Sequence, residues 1–174
     1  MQKKGYIHLY VGDGKGKTTA AAGLALRALG AGQGVIFAQF LKGRRSGEAI
    51  LLEKLGARTL LAQTITKFIP QMTPEEITQQ AQQSVAALEN IRAMMSENCD
   101  LVVLDEAVDA VVCGMLPLAL LQDFLRTRPA HIEVVLTGRR PPDELSFTAD
   151  YYTDFVCRAH PYEKGVSARQ GIEW

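Results

Sequence analysis

The sequence predicts an α/β fold, a mainly parallel sheet flanked by helices, and three observations carry that expectation. Apolar runs of strand length alternate with helical segments from Tyr6 to Val156. The run Leu101-Val102-Val103-Leu104 is apolar at every position, as a strand covered on both faces must be. The first run, Tyr6 to Tyr10, ends in a glycine-rich loop that opens directly into a small-residue helix, the start of a right-handed crossover to a parallel neighbour.

After that loop, Ala20 to Leu29 is rich in alanine and leucine and able to pack closely on a sheet, and Gly30, Gly32 and Gly34 end it. Val35 to Phe40 is a second buried strand, Glu48 to Leu55 a helix, and Arg58 to Ala62 a short strand. Gln63 to Met72 has no period and is expected to be a mobile loop. Thr73-Pro74-Glu75-Glu76 is a capping box with proline at the first helical position, and Ile77, Ala81, Val85, Leu88, Ile91 and Met95 then recur at helical spacing. Leu116 to Leu125 is a further helix, and Ile132 to Thr137 and Tyr151 to Val156 are the last strands. No repeat or low-complexity segment interrupts the order, so residues 1–174 form one domain.

Nineteen Lys and Arg balance nineteen Asp and Glu, so no net charge draws the chain to nucleic acid or to an anionic membrane. Cys99, Cys113 and Cys157 are odd in number and lack metal-ligand spacing; they are expected to be reduced, buried small hydrophobes in a cytoplasmic protein. The chain enters a strand almost at once, with no signal-type segment and no run long enough to span a bilayer.

The chemistry concentrates in Val11-Gly12-Asp13-Gly14-Lys15-Gly16-Lys17-Thr18-Thr19. Behind a strand and ahead of a helix, this reads as a phosphate-binding loop for a nucleoside triphosphate. Glycines let amide groups turn inward, and a helix starting at Thr18 aims its positive end into the same hollow. Three residues separate Gly12 from Gly16, one fewer than usual, which makes the loop tight. Gly12 through Thr19 are the candidate ATP contacts, with Lys17 a point charge for the phosphates and Thr18 a ligand for Mg²⁺ or Mn²⁺. Asp105 and Glu106, at the carboxyl end of the Leu101–Leu104 strand, stand where carboxylates complete the metal's shell opposite Thr18. Arg139 follows the strand ending at Thr137, at the same edge, and is suited to phosphate or to a substrate carboxamide. The bland alternatives are a chance glycine-rich turn and acids placed to suit a helix dipole. His8, alternating along the first strand, reads as a packing residue.

Gly12-Asp13-Gly14-Lys15-Gly16-Lys17-Thr18-Thr19-Ala20-Ala21, Gln39-Phe40-Leu41-Lys42-Gly43, Gly47-Glu48, Leu104-Asp105-Glu106, Leu136-Thr137-Gly138-Arg139, Ala149-Asp150, His160-Pro161-Tyr162 and Gln170-Gly171-Ile172-Glu173 together resemble the P-loop type of cob(I)alamin, or corrinoid, adenosyltransferase. The short loop and the closing Gln-Gly-Ile-Glu are the most specific parts. The resemblance implies a P-loop NTPase domain of RecA-like architecture that moves the 5′-deoxyadenosyl group of ATP to the cobalt of a reduced corrinoid and releases triphosphate. It also implies a homodimer and a flavin-based electron donor protein as partner.

Under that resemblance Lys17, Thr18 and Glu106 are the catalytic residues, and Lys42, Glu48, Phe68 and His160 lie toward the corrinoid. Read from the loop itself, Phe68 in the segment Gln63 to Met72 either presses on the macrocycle and keeps water and the axial base from cobalt, or anchors the loop to the core. An exposed lysine, a helix-start glutamate and a turn histidine before proline explain Lys42, Glu48 and His160 structurally. Asp13 stands where the family commonly has asparagine, so its charge must turn away, cap the loop or weaken ATP binding. The rival chemistries are a P-loop ATPase or kinase acting at the γ-phosphate and a regulatory module that switches with ATP.

Overall fold

Six strands, β1 (Ile7–Val11), β2 (Val35–Gln39), β3 (Arg58–Leu61), β4 (Leu101–Asp105), β5 (Glu133–Thr137) and β6 (Tyr151–Asp154), form one sheet in the order β3-β2-β4-β5-β1-β6. This is a computed structural model describing residues 4–67, 69–95 and 98–173. Every strand pairing in it is parallel, with Val35–Gln39 in register with Leu101–Asp105 and Ile7–Tyr10 with Val134–Thr137. Strand β1, which leads into the glycine-rich loop, and strand β4, which ends in Asp105, are not neighbours, because β5 runs between them.

The alternation of side chains along each strand divides the core into two layers. Val35, Phe37, Leu101, Val103 and Val135 face α1 (Lys17–Gly30) and α2 (Gly47–Lys54), which contribute Ala21, Ala25, Ala28, Ala49 and Leu52. Ile36, Ala38, Val102, Leu104, Val134 and Leu136 face the other layer, with Leu88 and Ile91 of α3 (Pro74–Met94), Val108 of α4 (Ala107–Val112), Leu121 and Phe124 of α5 (Leu118–Thr127), and Leu145 of α6 (Asp143–Ser146). Each large side chain buried here contributes about 1.5–3 kcal/mol. On α1 the buried face is alanine only, which lets the helix, and the loop before it, sit close on the sheet.

Several expectations are corrected. Helix α1 begins at Lys17, one residue earlier than read, and α4 and α6 are short helices that the apolar pattern did not announce. The capping box holds: Thr73 Oγ1 accepts from Glu76 N and Glu76 Oε2 accepts from Thr73 N. The buried face of α3, however, includes Gln80 and Ser84, while Ile77, Ala81 and Val85 are half-buried. The segment after β3 has contacts of its own. Gln63 is buried, Thr64 donates to Gln83, and a 3-10 turn spans Ile69–Gln71. Cys99 is buried as expected, but Cys113 and Cys157 are exposed. His8 packs as read, stacked on Tyr151 at 4.4 Å with its Nε2 2.6 Å from Glu133 Oε1. Among the described residues no helix is long and apolar enough to cross a membrane.

Candidate active site

The carboxyl ends of β1, β2, β4 and β5 converge on one carboxylate. Asp105, the last residue of β4, is fully buried and accepts four hydrogen bonds from three other elements and a loop. Its Oδ1 takes Thr18 Oγ1 from α1 and Thr137 Oγ1 from β5, each at 2.8 Å. Its Oδ2 takes Lys42 Nζ at 2.8 Å and Gln39 Nε2, from the end of β2, at 3.3 Å. A buried carboxylate is tolerated only when so satisfied. Burial pulls the Lys42 ammonium down, but the charge and hydrogen bond of Asp105 outweigh it and hold its pKa above the usual lysine value.

The loop before α1 is shaped by what it packs on. Gly12 and Gly16 have φ of 107° and 115°, conformations that only glycine adopts without strain. Gly12 N donates to Arg139 O at 2.8 Å and Gly14 N to Phe155 O at 2.6 Å, which fastens the loop to the chain beyond β5 and β6. A Cβ at Gly12 or Gly14 would run into the Phe155 backbone. Ser46 and Thr73 cap α2 and α3, whereas Gly16 at the N-cap of α1 has no side chain to offer its first amides. Those amides and the helix dipole favour an anion. The Lys17 ammonium lies within the curl of the loop, donating to Gly12 O and Gly14 O, each at 2.7 Å. Burial and the nearby Arg139 lower its pKa.

Glu106 turns the chain from β4 into α4 with φ of 61°, and among the described residues it alone of the non-glycines has positive φ. Such a conformation costs about 1–3 kcal/mol and clusters at functional sites. Glu106 N donates to Thr137 Oγ1 at 2.8 Å, so one threonine fixes both acids. Burial, then the adjacent Asp105, push the Glu106 carboxyl up to about 7.

The other residues singled out from sequence fall as follows. Asp13 is exposed, its Oδ2 3.5 Å from Arg140 and its charge still near enough to act on the Lys17 ammonium. Arg139 is exposed, its N donating to Asp109 Oδ1 at 2.9 Å. Lys15 reaches Glu173 of the terminal motif at 3.5 Å. Glu48 lies in the first turn of α2, close enough to Lys42 to raise its pKa. His160 caps a 3-10 turn, its Nδ1 accepting from Tyr162 N at 3.1 Å, as its structural reading expected. Thr19 is exposed on α1. Phe68 lies outside the described residues. Sequence reasoning missed Thr137 and gave Gln39 no role; the available signal was a polar residue ending an otherwise apolar strand at the carboxyl edge.

The oxygens of Thr18 Oγ1 and Asp105 Oδ1, which meet at 2.8 Å, are the hard ligand atoms that a cation such as Mg²⁺ takes. Among the described residues no three His, Cys, Asp or Glu side chains gather as a metal cage. Thr18 and Asp105 therefore fit a cation that takes its remaining ligands from phosphate and water.

A tight phosphate loop on β1, an uncapped helix behind it and an acid at the end of a non-adjacent parallel strand define a P-loop NTPase-like nucleotide-binding domain. Within that class the chain belongs to the family ATP:corrinoid adenosyltransferase BtuR/CobO/CobP, whose sequence profile matches residues 3–174. It is 34% identical over 176 residues to the corrinoid adenosyltransferase CobA of Salmonella typhimurium, covering all of this chain and 88% of that one. It is 33% identical over 180 residues to the corrinoid adenosyltransferase of Escherichia coli K12, with the same coverage, and 30% identical over 174 residues to that of a Sinorhizobium species, covering 99% and 81%.

Proposed function

We propose that this chain transfers the 5′-deoxyadenosyl group of ATP to the cobalt of a reduced corrinoid, releasing triphosphate. The observation that carries the reading is Thr18 and Asp105 sharing a hydrogen bond beside the Lys17 curl, in a chain of this family. Co(I) supplies the electron pair that forms the cobalt–C5′ bond, the C5′–O bond breaks, and its pair leaves on the triphosphate oxygen. Catalysis is then stabilisation of a leaving group whose negative charge grows in the transition state.

Lys17 turns from the carbonyls of Gly12 and Gly14 to that charge, and the loop amides and the start of α1 meet it from the same side. Gly12 to Thr19 and Arg139 hold the triphosphate. Thr18 and Asp105, with Glu106 beside them, are the residues that would hold Mg²⁺ or Mn²⁺. When bound, the cation supplies positive charge against the triphosphate oxygens. No water is activated, so Glu106 serves as a ribose or cation partner and not as a general base. Lys42, Glu48 and His160 lie toward the corrinoid in this reading, and Phe68 belongs to the same side. Homodimeric assembly, a flavin-based electron donor protein for Co(II) and a cytoplasmic setting complete it.

The test is incubation with ATP, Mg²⁺ and chemically reduced cobalamin, following the visible spectrum and the phosphate product. Intact triphosphate in step with formation of the cobalt–carbon bond is expected. ADP and phosphate as stoichiometric products would overturn it in favour of γ-phosphate chemistry, and no consumption of ATP would leave a binding module.

A further inference from the structure

Asp105 is two-sided: Oδ1 holds the triphosphate half of the site through Thr18 and Thr137, and Oδ2 holds Lys42 and Gln39. Gln39 is 99% buried, and both ends of its carboxamide are in use. One Nε2 proton goes to Asp105 Oδ2 and the other to Ser46 Oγ at 3.1 Å, while its Oε1 accepts from Ser46 N at 3.2 Å. The orientation is dictated chemically, since a carboxylate cannot donate and the amide nitrogen must face Asp105. Ser46 Oγ in turn accepts from Ala49 N and caps α2. The loop of residues 40–46 is thus tied to Asp105 three times: by Phe40 N on Asp105 O at 2.9 Å, by Lys42, and through Gln39 at Ser46.

We infer that Gln39 is a positioning residue, fixing the loop of residues 40–46 and the start of α2 to the carboxylate that anchors the triphosphate edge. Resting on the reaction proposed above, it sets Lys42 and Glu48 for the second substrate and leaves the triphosphate half alone. Phe40 N and Lys42 hold only the first half of the loop; Gln39 holds its far end, where α2 begins.

Gln39→Met keeps the length of the side chain and removes all three hydrogen bonds. In the ligand-free protein the amides of Ser46 and Ala49 should exchange about tenfold faster, with those of Gly14 and Ala20 unchanged. In turnover the KM for reduced cobalamin should rise about tenfold while the KM for ATP stays within about twofold. Ser46→Ala, at a half-buried position, should give the same KM split. The double variant should be no worse than Gln39→Met alone, because both cut one path.

Faster exchange throughout the sheet, equal changes in both KM values, or additive effects of the two substitutions would each show Gln39 to be a packing residue and overturn the proposal. If the wild type makes no triphosphate, it is the reaction that has failed. Exchange at Ser46 and Ala49 then still decides for or against the tie.

Discussion

The carboxyl edge of the sheet and the C-terminal tail both carry motifs on which the sequence resemblance rests, yet they are held by different physics. At the edge, Asp105 is fully buried and shares its two oxygens among four donors, and Lys17 lies in a loop fastened by backbone hydrogen bonds. In the tail every residue from 161 to 172 is exposed. Its far end is closed by Glu173, which accepts from Arg169 N at 2.8 Å, Nε at 3.2 Å and NH2 at 2.9 Å and reaches Lys15 at the loop. The comparison separates preorganisation from attachment. The edge is set before any ligand arrives, because its polar groups have no water to fall back on, whereas the tail is a surface tie that solvent competes with at every contact.

The largest effect expected from this contrast is at Lys17. Its side chain serves the loop but carries none of the core, so Lys17→Ala should melt close to the wild type while losing a hundredfold or more in triphosphate release, on the order of 3–4 kcal/mol in the transition state. A folded Lys17→Ala protein that turns over normally would remove the loop from the chemistry.

A smaller effect distinguishes the two neighbouring acids. The Glu106 carboxyl sits at about 7 in the ligand-free fold and 4.5 when unfolded, so the folded state binds more protons between those values. Stability therefore falls as the pH rises from 4.5 to about 7, by roughly 3 kcal/mol, and is level in this respect above that. Glu106→Gln should lose that slope and be the more stable protein at pH 8, measured by urea unfolding without nucleotide or metal. Parallel pH profiles for the two proteins would mean that Glu106 is not held in a dry site.

The smallest effect belongs to the tail. Arg169 keeps the Glu173 carboxyl down near 2, so the tie is whole above pH 4.5 and is lost as the pH falls through about 2. Glu173→Gln should speed amide exchange at Arg169 and Glu173 while changing turnover at saturating ATP by less than about twofold. A loss as large as that of Lys17→Ala would place the tail inside the preorganised site and erase the distinction.

By itself the sequence determined the elements whose signals are local. The short apolar run Leu101–Leu104, bounded by Asp100 and Asp105 and centred on two valines, reads as a buried strand, and Thr73-Pro74-Glu75-Glu76 starts a helix through bonds between residues three apart. The loop from Gly12 to Thr18 is likewise written in consecutive residues, and so is the pair Asp105-Glu106 that faces it. The tertiary structure alone decided which distant side chains share those groups. Thr137 and Gln39 meet Asp105 only because β5 and β2 flank β4, and strand order leaves no trace in local spacing. Lys42 reads as a surface lysine until the turn after β2 brings it onto a buried carboxylate. The same holds for α3, whose apolar period pointed to Ile77, Ala81 and Val85 while packing buried Gln80 and Ser84. Periodicity fixes that a helix has a face; the neighbours it meets fix which face that is.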